Sequence, residues 1–198
     1  MLTKEEIAEN REWFLEFCKK NIKREGVDDF LTWLDSTDFF TAPASTKFHG
    51  NYEGGLCEHS LNVYQALSDI HSLYCGEFSL ETIGICALFH DVCKANMYKR
   101  GTRNVKGEDG KWTTKEVWEI DDHVPLGHGE KSALLILRYM SLTLDELYAI
   151  RWHMGGFDNA VKGGDYSLNK AQEKSVLVPL LHSADLIATS LFERKSEN

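Results

Sequence analysis

The sequence predicts a single all-α domain, a helical bundle with a short β-hairpin insert at about residues 97–118. Apolar residues recur at helical spacing along most of the 198-residue chain, and turn-forming residues concentrate in a few segments. The content of 42% apolar and 27% charged residues is ordinary for a globular protein and excludes a disordered or collagen-like chain. No internal repeat or linker-like stretch divides the chain, so residues 1–198 are expected to form one domain.

Helix signals begin near the N-terminus. Thr3 and Glu6 form a capping box, in which each side chain bonds the other residue's backbone N–H, and the first helix follows it. A second, short helix is predicted at 28–35. The turn-rich segment 36–55 then leads into a strong helix at about 56–73, whose apolar residues recur at helical spacing.

The most apolar helix of the chain is predicted at 80–95. Ser79 is its cap, and apolar side chains occupy almost every side, which is typical of a central helix. The composition changes after Met97. There the turn sequence GEDG predicts the β-hairpin between two helices.

Helices resume in the last third of the chain, first at about 127–140. A second capping box, which begins at Thr143, opens the next helix at 143–153. A glycine-rich loop at 155–166 separates that helix from a long final one at about 168–192.

The net charge of −9 limits the class of partner. An acidic chain binds long nucleic acid poorly, because such binding depends on neutralising many phosphates. A local basic patch could still hold a small phosphorylated substrate. The segment 94–106 contains five basic residues and no acidic residue; the five are Lys94, Lys99, Arg100, Arg103 and Lys106. They could guide an anionic substrate, or they could belong to an ordinary solvated strand.

The cysteines and the apolar runs indicate a cytoplasmic protein. Five cysteines form no CxxC pair and are predicted to be free thiols in a reducing compartment. No apolar run approaches the ~18 residues of a membrane span, and the charged N-terminal segment has no signal region. No membrane association is expected. The sequence is compatible with a homodimer and does not decide the oligomeric state.

Histidines and aspartates lie near the apolar faces or ends of several predicted helices: His59, His90, Asp91, His128, His153 and Asp185. Burying His90 and Asp91 would be costly unless they are paired or bind a metal. The alternative is that their helix turns outward and both meet solvent. Converging helices with inward histidine and carboxylate side chains build metal sites in bundle folds, and such ligands suit iron, manganese, zinc or cobalt.

The ordered set H…HD…H…H…D resembles the HD superfamily of metal-dependent phosphohydrolases. The local sequences GGLCEHSLNV, ALFHDVCK and HSADLIA carry the resemblance, which covers about residues 39–190. Residues 1–38 would be N-terminal helices packed on that region. The TAPAS…GGLCEH stretch is most similar to bacterial 3′-to-5′ exoribonucleases of the YhaM type. The ligand set is similar to that of di-metal HD hydrolases that split dinucleoside polyphosphates.

The resemblance implies two divalent transition metal ions. His59, His90, Asp91 and Asp185 would hold the first ion, while His128 and His153 would hold the second, with Asp91 bridging both. Iron or manganese is expected, and zinc, cobalt, nickel or magnesium are the alternatives. Two such ions can clamp the attacking and leaving oxygens of a phosphoryl transfer, and the hydroxide between them would be the nucleophile.

Lys94 is expected to stabilise the substrate phosphate. It follows His90 by four residues and would lie on the same side of a continuous helix. The alternative is a surface lysine near a helix C-terminus. Arg100, Arg103 and His123 are further candidate substrate contacts, although His123 competes with His128 for the motif position.

The predicted function is hydrolysis of a phosphoester or phosphoanhydride, in a small nucleotide, with Asp91 and Lys94 as the catalytic residues. One alternative is a 3′-to-5′ nuclease that acts on short single-stranded ends. Another is a non-catalytic HD module that binds a nucleotide or regulates a partner. No OB fold is expected before the HD region, and the chain is acidic overall. Both features favour a small substrate over long nucleic acid.

Overall fold

The computed structural model describes residues 1–74, 76–107 and 110–193. Within them it confirms the predicted class, a mostly helical fold with a two-stranded antiparallel hairpin. The helices are α1 (Lys4–Asn21), α2 (Val27–Asp35), α3 (Gly55–Tyr74), α4 (Leu80–Phe89), α5 (His128–Leu137), α6 (Leu144–Trp152), α7 (Asn159–Lys162), α8 (Ser167–Lys174) and α9 (Leu177–Ile187). The strands are β1 (Tyr98–Lys106) and β2 (Trp112–Ile120).

The central helix is α4, as its apolar sequence predicts. It packs against α1, α3 and α6, and α9 packs against both α3 and α6. Buried aromatic rings attach the N-terminal helices to it: the Phe89 ring lies 5.9 Å from that of Phe14 and 4.8 Å from that of Phe30. Residues of the N-terminal helices and of α9 therefore belong to one hydrophobic core.

The helix α4 ends at Phe89, whereas the sequence predicted residue 95. Asp91 leaves the helical conformation, with φ −111° and ψ 18°, and Val92–Lys94 form a separate 3₁₀ turn. Adjacent residues of an α-helix point roughly 100° apart, so a continuous helix could not direct both His90 and Asp91 at one place. Both side chains are buried, which excludes the alternative in which they meet solvent.

The early end of α4 also corrects the position predicted for Lys94. Because the helix ends before His90, the two residues do not share a helical face. Lys94 instead reaches back within the 3₁₀ turn, where its Nζ lies 2.6 Å from Asp91 Oδ2. Its exposed fraction is 7%, so it is a buried cation and not a surface lysine.

The final helix predicted at 168–192 is broken into pieces. Ser175, between α8 and α9, is extended with φ −146° and ψ 120°. Pro179 explains the break, because in a continuous helix its ring would clash with the carbonyl of Ser175, four residues earlier. A π-helical turn, Ala188–Phe192, follows α9 and carries the chain to its last described residue.

Two irregular segments differ slightly from the prediction. The hairpin extends to Ile120, two residues beyond its predicted limit, because Ile120 pairs with Tyr98 at the base of the ladder. Residues 108–109 of the predicted GEDG turn lie outside the described residues. The loop predicted at 155–166 contains the 3₁₀ turn Gly155–Phe157 and the helix α7.

No single helix of the described residues is long and apolar enough to cross a membrane. The pair Ser167–Lys174 and Leu177–Phe192 passes on length and composition only when its parts are joined across a 107° bend.

The cysteines that the structure describes are Cys18, Cys57, Cys86 and Cys93. All four are free and buried, in agreement with the prediction of free thiols. Burial raises the pKa of the Cys93 thiol to about 12, so this thiol is protonated near neutral pH. Cys75 lies outside the described residues.

A buried ion pair ties the connection between α1 and α2 to the start of α6. Arg24 bonds both carboxylate oxygens of the fully buried Glu146. It also lies 3.4 Å from Glu81. Glu146 in turn accepts from the backbone N–H of Thr143 at 2.8 Å. Loss of the guanidinium would leave a buried carboxylate without its cation, which is costly.

We expect Arg24→Met to lower the free energy of unfolding by about 3 kcal/mol or more. The matched control is Arg11→Met, because Arg11 forms an exposed pair with Asp35, and such pairs contribute about 0–1 kcal/mol. Urea unfolding followed by circular dichroism measures both variants. Equal losses of unfolding free energy in the two variants would show that the buried pair stabilises the fold no more than the exposed pair.

Candidate metal centre

Side chains from α3, from α9 and from the ends of α4 and α6 meet at one buried place. His59 Nε2 lies 3.3 Å from both His90 Nε2 and Asp185 Oδ1. Asp91 Oδ2 is 3.7 Å from His59 Nε2 and 3.6 Å from His90 Nε2. The other oxygen of Asp91, Oδ1, is 3.5 Å from His153 Nε2. Five of the six ligands proposed from the sequence are thus brought together.

Two of the imidazoles are oriented by backbone carbonyls. His90 Nδ1 lies 2.8 Å from the carbonyl oxygen of Ala87, and His153 Nδ1 lies 2.7 Å from that of Ile150. A carbonyl oxygen can only accept, so each Nδ1 carries the proton and each Nε2 of the neutral ring keeps its lone pair. Partners of this kind fix the tautomer and orientation of metal-binding histidines.

His59 has a carboxylate partner that the sequence analysis did not identify. Its Nδ1 lies 2.9 Å from Glu193 Oε1, which also accepts from Asn62 Nδ2 at 3.1 Å. The Glu193 side chain is 3% exposed. The ring of His49 lies 4.9 Å from that of His59, and His49 Nε2 is buried without a hydrogen-bond partner. No local motif marks Glu193, because only the turn after α9 brings it to His59.

The donor set fits a divalent transition metal better than a core held by hydrogen bonds alone. The Nε2 atoms of His59 and His90 face each other at 3.3 Å, and His153 Nε2 is buried without a hydrogen-bond partner. Buried acceptors without a donor are unfavourable unless a cation or proton lies among them. Histidine nitrogen with carboxylate oxygen suits iron, manganese, zinc or cobalt. The donor atoms present at this centre therefore fit a divalent transition metal ion.

The charges at this place also favour a cation. Burial disfavours the charged form of the His59 imidazole, but the carboxylates of Asp185 and Glu193 outweigh burial and raise its pKa to about 10. Burial lowers the pKa of His90 to about 4, so this ring is neutral and suited to bind a metal. The cluster thus attracts positive charge, as a proton or as a metal ion.

Asp91 occupies the middle of the cluster. Its Oδ2 faces the first two histidines and its Oδ1 faces His153. Burial would raise the pKa of this carboxyl, but the Lys94 ammonium outweighs burial and holds the pKa well below its ordinary value. Asp91 is therefore an ionised carboxylate with one oxygen directed to each side of the centre.

His128, the sixth proposed ligand, begins α5 and is half-buried outside these clusters. Burial lowers its pKa, and the charges of Asp91 and Lys94 act on it from nearby. The structure thus places His128 beside the centre but not within the group of converging donor atoms.

The remaining proposed substrate contacts lie on the exposed hairpin or beyond it. The Arg100 guanidinium stacks 3.7 Å from the centroid of the Trp118 ring, and Arg103 is exposed farther along β1. The His123 side chain is 81% exposed, with Asp121 at 3.8 Å. The structure does not bring these three residues to the histidine cluster, and their roles stay predictions.

Comparisons with known proteins support a family assignment. The model of the HD domain family matches residues 56–190, a range that contains all six proposed ligands. Over 93 residues the chain is 32% identical to the dihydroneopterin 2′,3′-cyclic phosphate phosphodiesterase of Methanocaldococcus jannaschii. That match covers 45% of this chain and 34% of the relative, so the chain spans about a third of the relative's length. No solved structure shows a significant match. Because the family model covers more than half of the chain, the chain belongs to the HD domain family.

Proposed function

We propose that the protein hydrolyses a phosphoester or phosphoanhydride bond in a small phosphorylated molecule of about nucleotide size. The observation that carries the proposal is the buried convergence of three histidine Nε2 atoms on two carboxylates. The relative from Methanocaldococcus jannaschii is a phosphodiesterase of a small cyclic phosphate by its name, which supports a small phosphodiester as one substrate form. The finer resemblances, to exoribonucleases and to dinucleoside polyphosphate hydrolases, stay predictions.

Divalent ions would be held by His59, His90, Asp91, His153 and Asp185, and would supply Lewis-acid polarisation of the phosphate together with an activated water. The chain's own residues orient the ligands and balance charge. The buried Lys94 ammonium, 2.6 Å from Asp91, would stabilise the negative charge that develops on a phosphate oxygen. Its action is strong because charges interact more strongly in a site shielded from water.

We propose two ions, with Asp91 between them and iron or manganese as the metals. The support is the opposed direction of the two Asp91 oxygens, and the position of His128 beside His153. His128, at the start of α5, would complete the second ion's ligands. Another histidine, His182, stabilises the backbone at His153, since its Nδ1 lies 2.7 Å from the carbonyl oxygen of that residue.

Metal analysis checks this assignment. We expect about two ions per chain in the wild type and about one in the double variant His128→Ala/His153→Ala, with little activity left. The control is His123→Ala, because that histidine is exposed and should leave the metal content unchanged. Two ions in the double variant would contradict the role assigned to both histidines.

The hairpin supports a small substrate. Lys99 lies opposite Glu119 on β2 and 3.4 Å from Asp121, and Arg100 is held on Trp118. On this strand Lys99 is therefore offset by acidic side chains and Arg100 is engaged by an aromatic ring. A long nucleic acid gains affinity by releasing counterions from many phosphates, and two cations of the basic strand are already engaged within the hairpin.

A substrate series tests the proposed function. Protein loaded with manganese or iron would be assayed on cyclic nucleotides, mononucleotides, a dinucleoside polyphosphate and single strands of increasing length. We expect kcat/KM to be highest on the small compounds and to gain little with length. A steep rise with length, together with strong salt dependence, would favour the nuclease. Binding without turnover of any compound would favour the non-catalytic module.

A further inference from the structure

A cavity of about 650 Å³ opens beside the metal centre. It lies between the start of α5, where His128 lines it, and the turn after α6, where Met154 lines it directly after His153. Sites for small molecules typically have volumes of about 300–1,000 Å³. The cavity therefore has the size and the position for a part of the substrate that extends beyond the phosphate.

One wall of this cavity is apolar. Phe157 is 59% exposed and Leu126 is 47% exposed, and Pro125 and Met154 complete the wall. An exposed aromatic ring beside a polar centre is a surface on which a flat ring can stack. The apolar wall thus suits an aromatic group better than a sugar or a phosphate.

The rest of the lining, the polar wall, does not suit a phosphate. It contains the carboxylates of Asp122, Glu130 and Asp158. Each of these carboxylates is already paired with a cation. Lys131 binds Asp122, and Arg151 binds both Glu130 and Asp158. A phosphate would meet fixed carboxylates here, whereas the end of the cavity at His128 adjoins the metal centre. The Lys162 ammonium lies 6.0 Å from the centroid of the Phe157 ring, so the orientation follows from the position of the metal centre: the phosphate lies toward His128 and the organic group toward Phe157.

The polar wall can also bind the edge of a heterocycle. Asn159 lines the cavity and is exposed, and its side-chain amide can both donate and accept hydrogen bonds. Ring nitrogens and exocyclic groups of a heterocycle offer matching donors and acceptors. A plain hydrocarbon ring would leave this wall without partners.

The turn that carries Phe157 is held in place. Gly155 has φ +51°, and a Cβ at this position would lie 2.5 Å from the ring of His182. The same His182 ring donates to the carbonyl oxygen of His153. This packing fixes the path of the backbone from His153 to the turn that carries Phe157.

We propose that this cavity binds the organic group of the substrate, a planar heteroaromatic ring that stacks on Phe157 while its phosphate reaches the metal centre. The proposal rests on the proposed function and adds the class of substrate. Phe157 and Asn159 select the ring, and the centre acts on the phosphate. The substrates are therefore phosphates of heterocyclic compounds, and simple alkyl phosphates are poor ones.

The test compares two substrates that share a five-membered cyclic phosphate: guanosine 2′,3′-cyclic phosphate, with a heterocycle, and glycerol 1,2-cyclic phosphate, without one. Stacking of a base on an aromatic side chain is worth about 1–3 kcal/mol. We expect Phe157→Ala to raise KM for the guanosine compound by about tenfold with little change in kcat. Its kinetics on the glycerol compound should change less than twofold. Phe157→Trp should restore the lower KM, because it retains a stacking surface.

Calorimetric binding of guanosine 3′-monophosphate gives a second readout that needs no turnover. Phe157→Ala should weaken this binding by about tenfold, and the control Tyr74→Ala should not change it, because Tyr74 is an exposed aromatic residue at the end of α3. Unchanged binding in Phe157→Ala would overturn the ring site even if the enzyme is active. If neither compound is hydrolysed but Phe157→Ala still loses binding of guanosine 3′-monophosphate, the proposed function is refuted and the ring site is supported.

Discussion

Asp91→Asn should lower kcat by about 10³-fold or more, because bound metal contributes several kcal/mol of transition-state stabilisation. The amide keeps the shape of the carboxylate but loses the charge that faces His59 and His90 on one side and His153 on the other. We expect the variant to lose at least one ion per chain by metal analysis. Circular dichroism should still show a helical protein, since the core aromatic cluster is untouched.

The matched control for this substitution is Asp38→Asn. Asp38 is a half-buried carboxylate that accepts from the backbone N–H of Asn96 and is not among the converging donor atoms of the histidine cluster. It should lose some stability without losing metal or turnover. Wild-type kcat in Asp91→Asn, after complete demetallation and reloading, would remove Asp91 from the mechanism.

Lys94→Met should reduce kcat by about 10²-fold and change KM by less than about threefold, since the ammonium acts on charge that develops in the transition state. The structure supports a role inside the site, because Lys94 is 7% exposed and contacts Asp91 at 2.6 Å. Steady-state kinetics on the best substrate of the series, with thermal unfolding measured in parallel, separates catalysis from stability.

Arg24→Met is the control for Lys94→Met. The Arg24 side chain is also largely buried, 15% exposed, and bonds both carboxylate oxygens of the buried Glu146. Both variants leave a buried carboxylate without its cation and should lose stability. A fall in kcat that is as large in Arg24→Met as in Lys94→Met would show that Lys94 acts only through the fold.

The sequence predicted helix starts well where neighbouring residues alone form the stabilising hydrogen bonds. The capping boxes at Thr3 and Thr143 are both present, since their hydrogen bonds join residues only three positions apart. The prediction was wrong where an element depends on what surrounds it, as at the end of α4. The break before α9 was different, because Pro179 is a local signal that the sequence analysis did not use.

The identity and order of the histidines and aspartates were determined by the sequence alone, and so was the family that they indicate. The tertiary structure decided which of them meet. It joined His59, His90, Asp91, His153 and Asp185 within a few ångströms, and placed His128 beside them and His123 in solvent. It also added Glu193, whose contact with His59 spans 134 positions of the chain. Motif order records the residue types that a reaction needs, but the distances between them arise only when packing fixes the helices relative to one another.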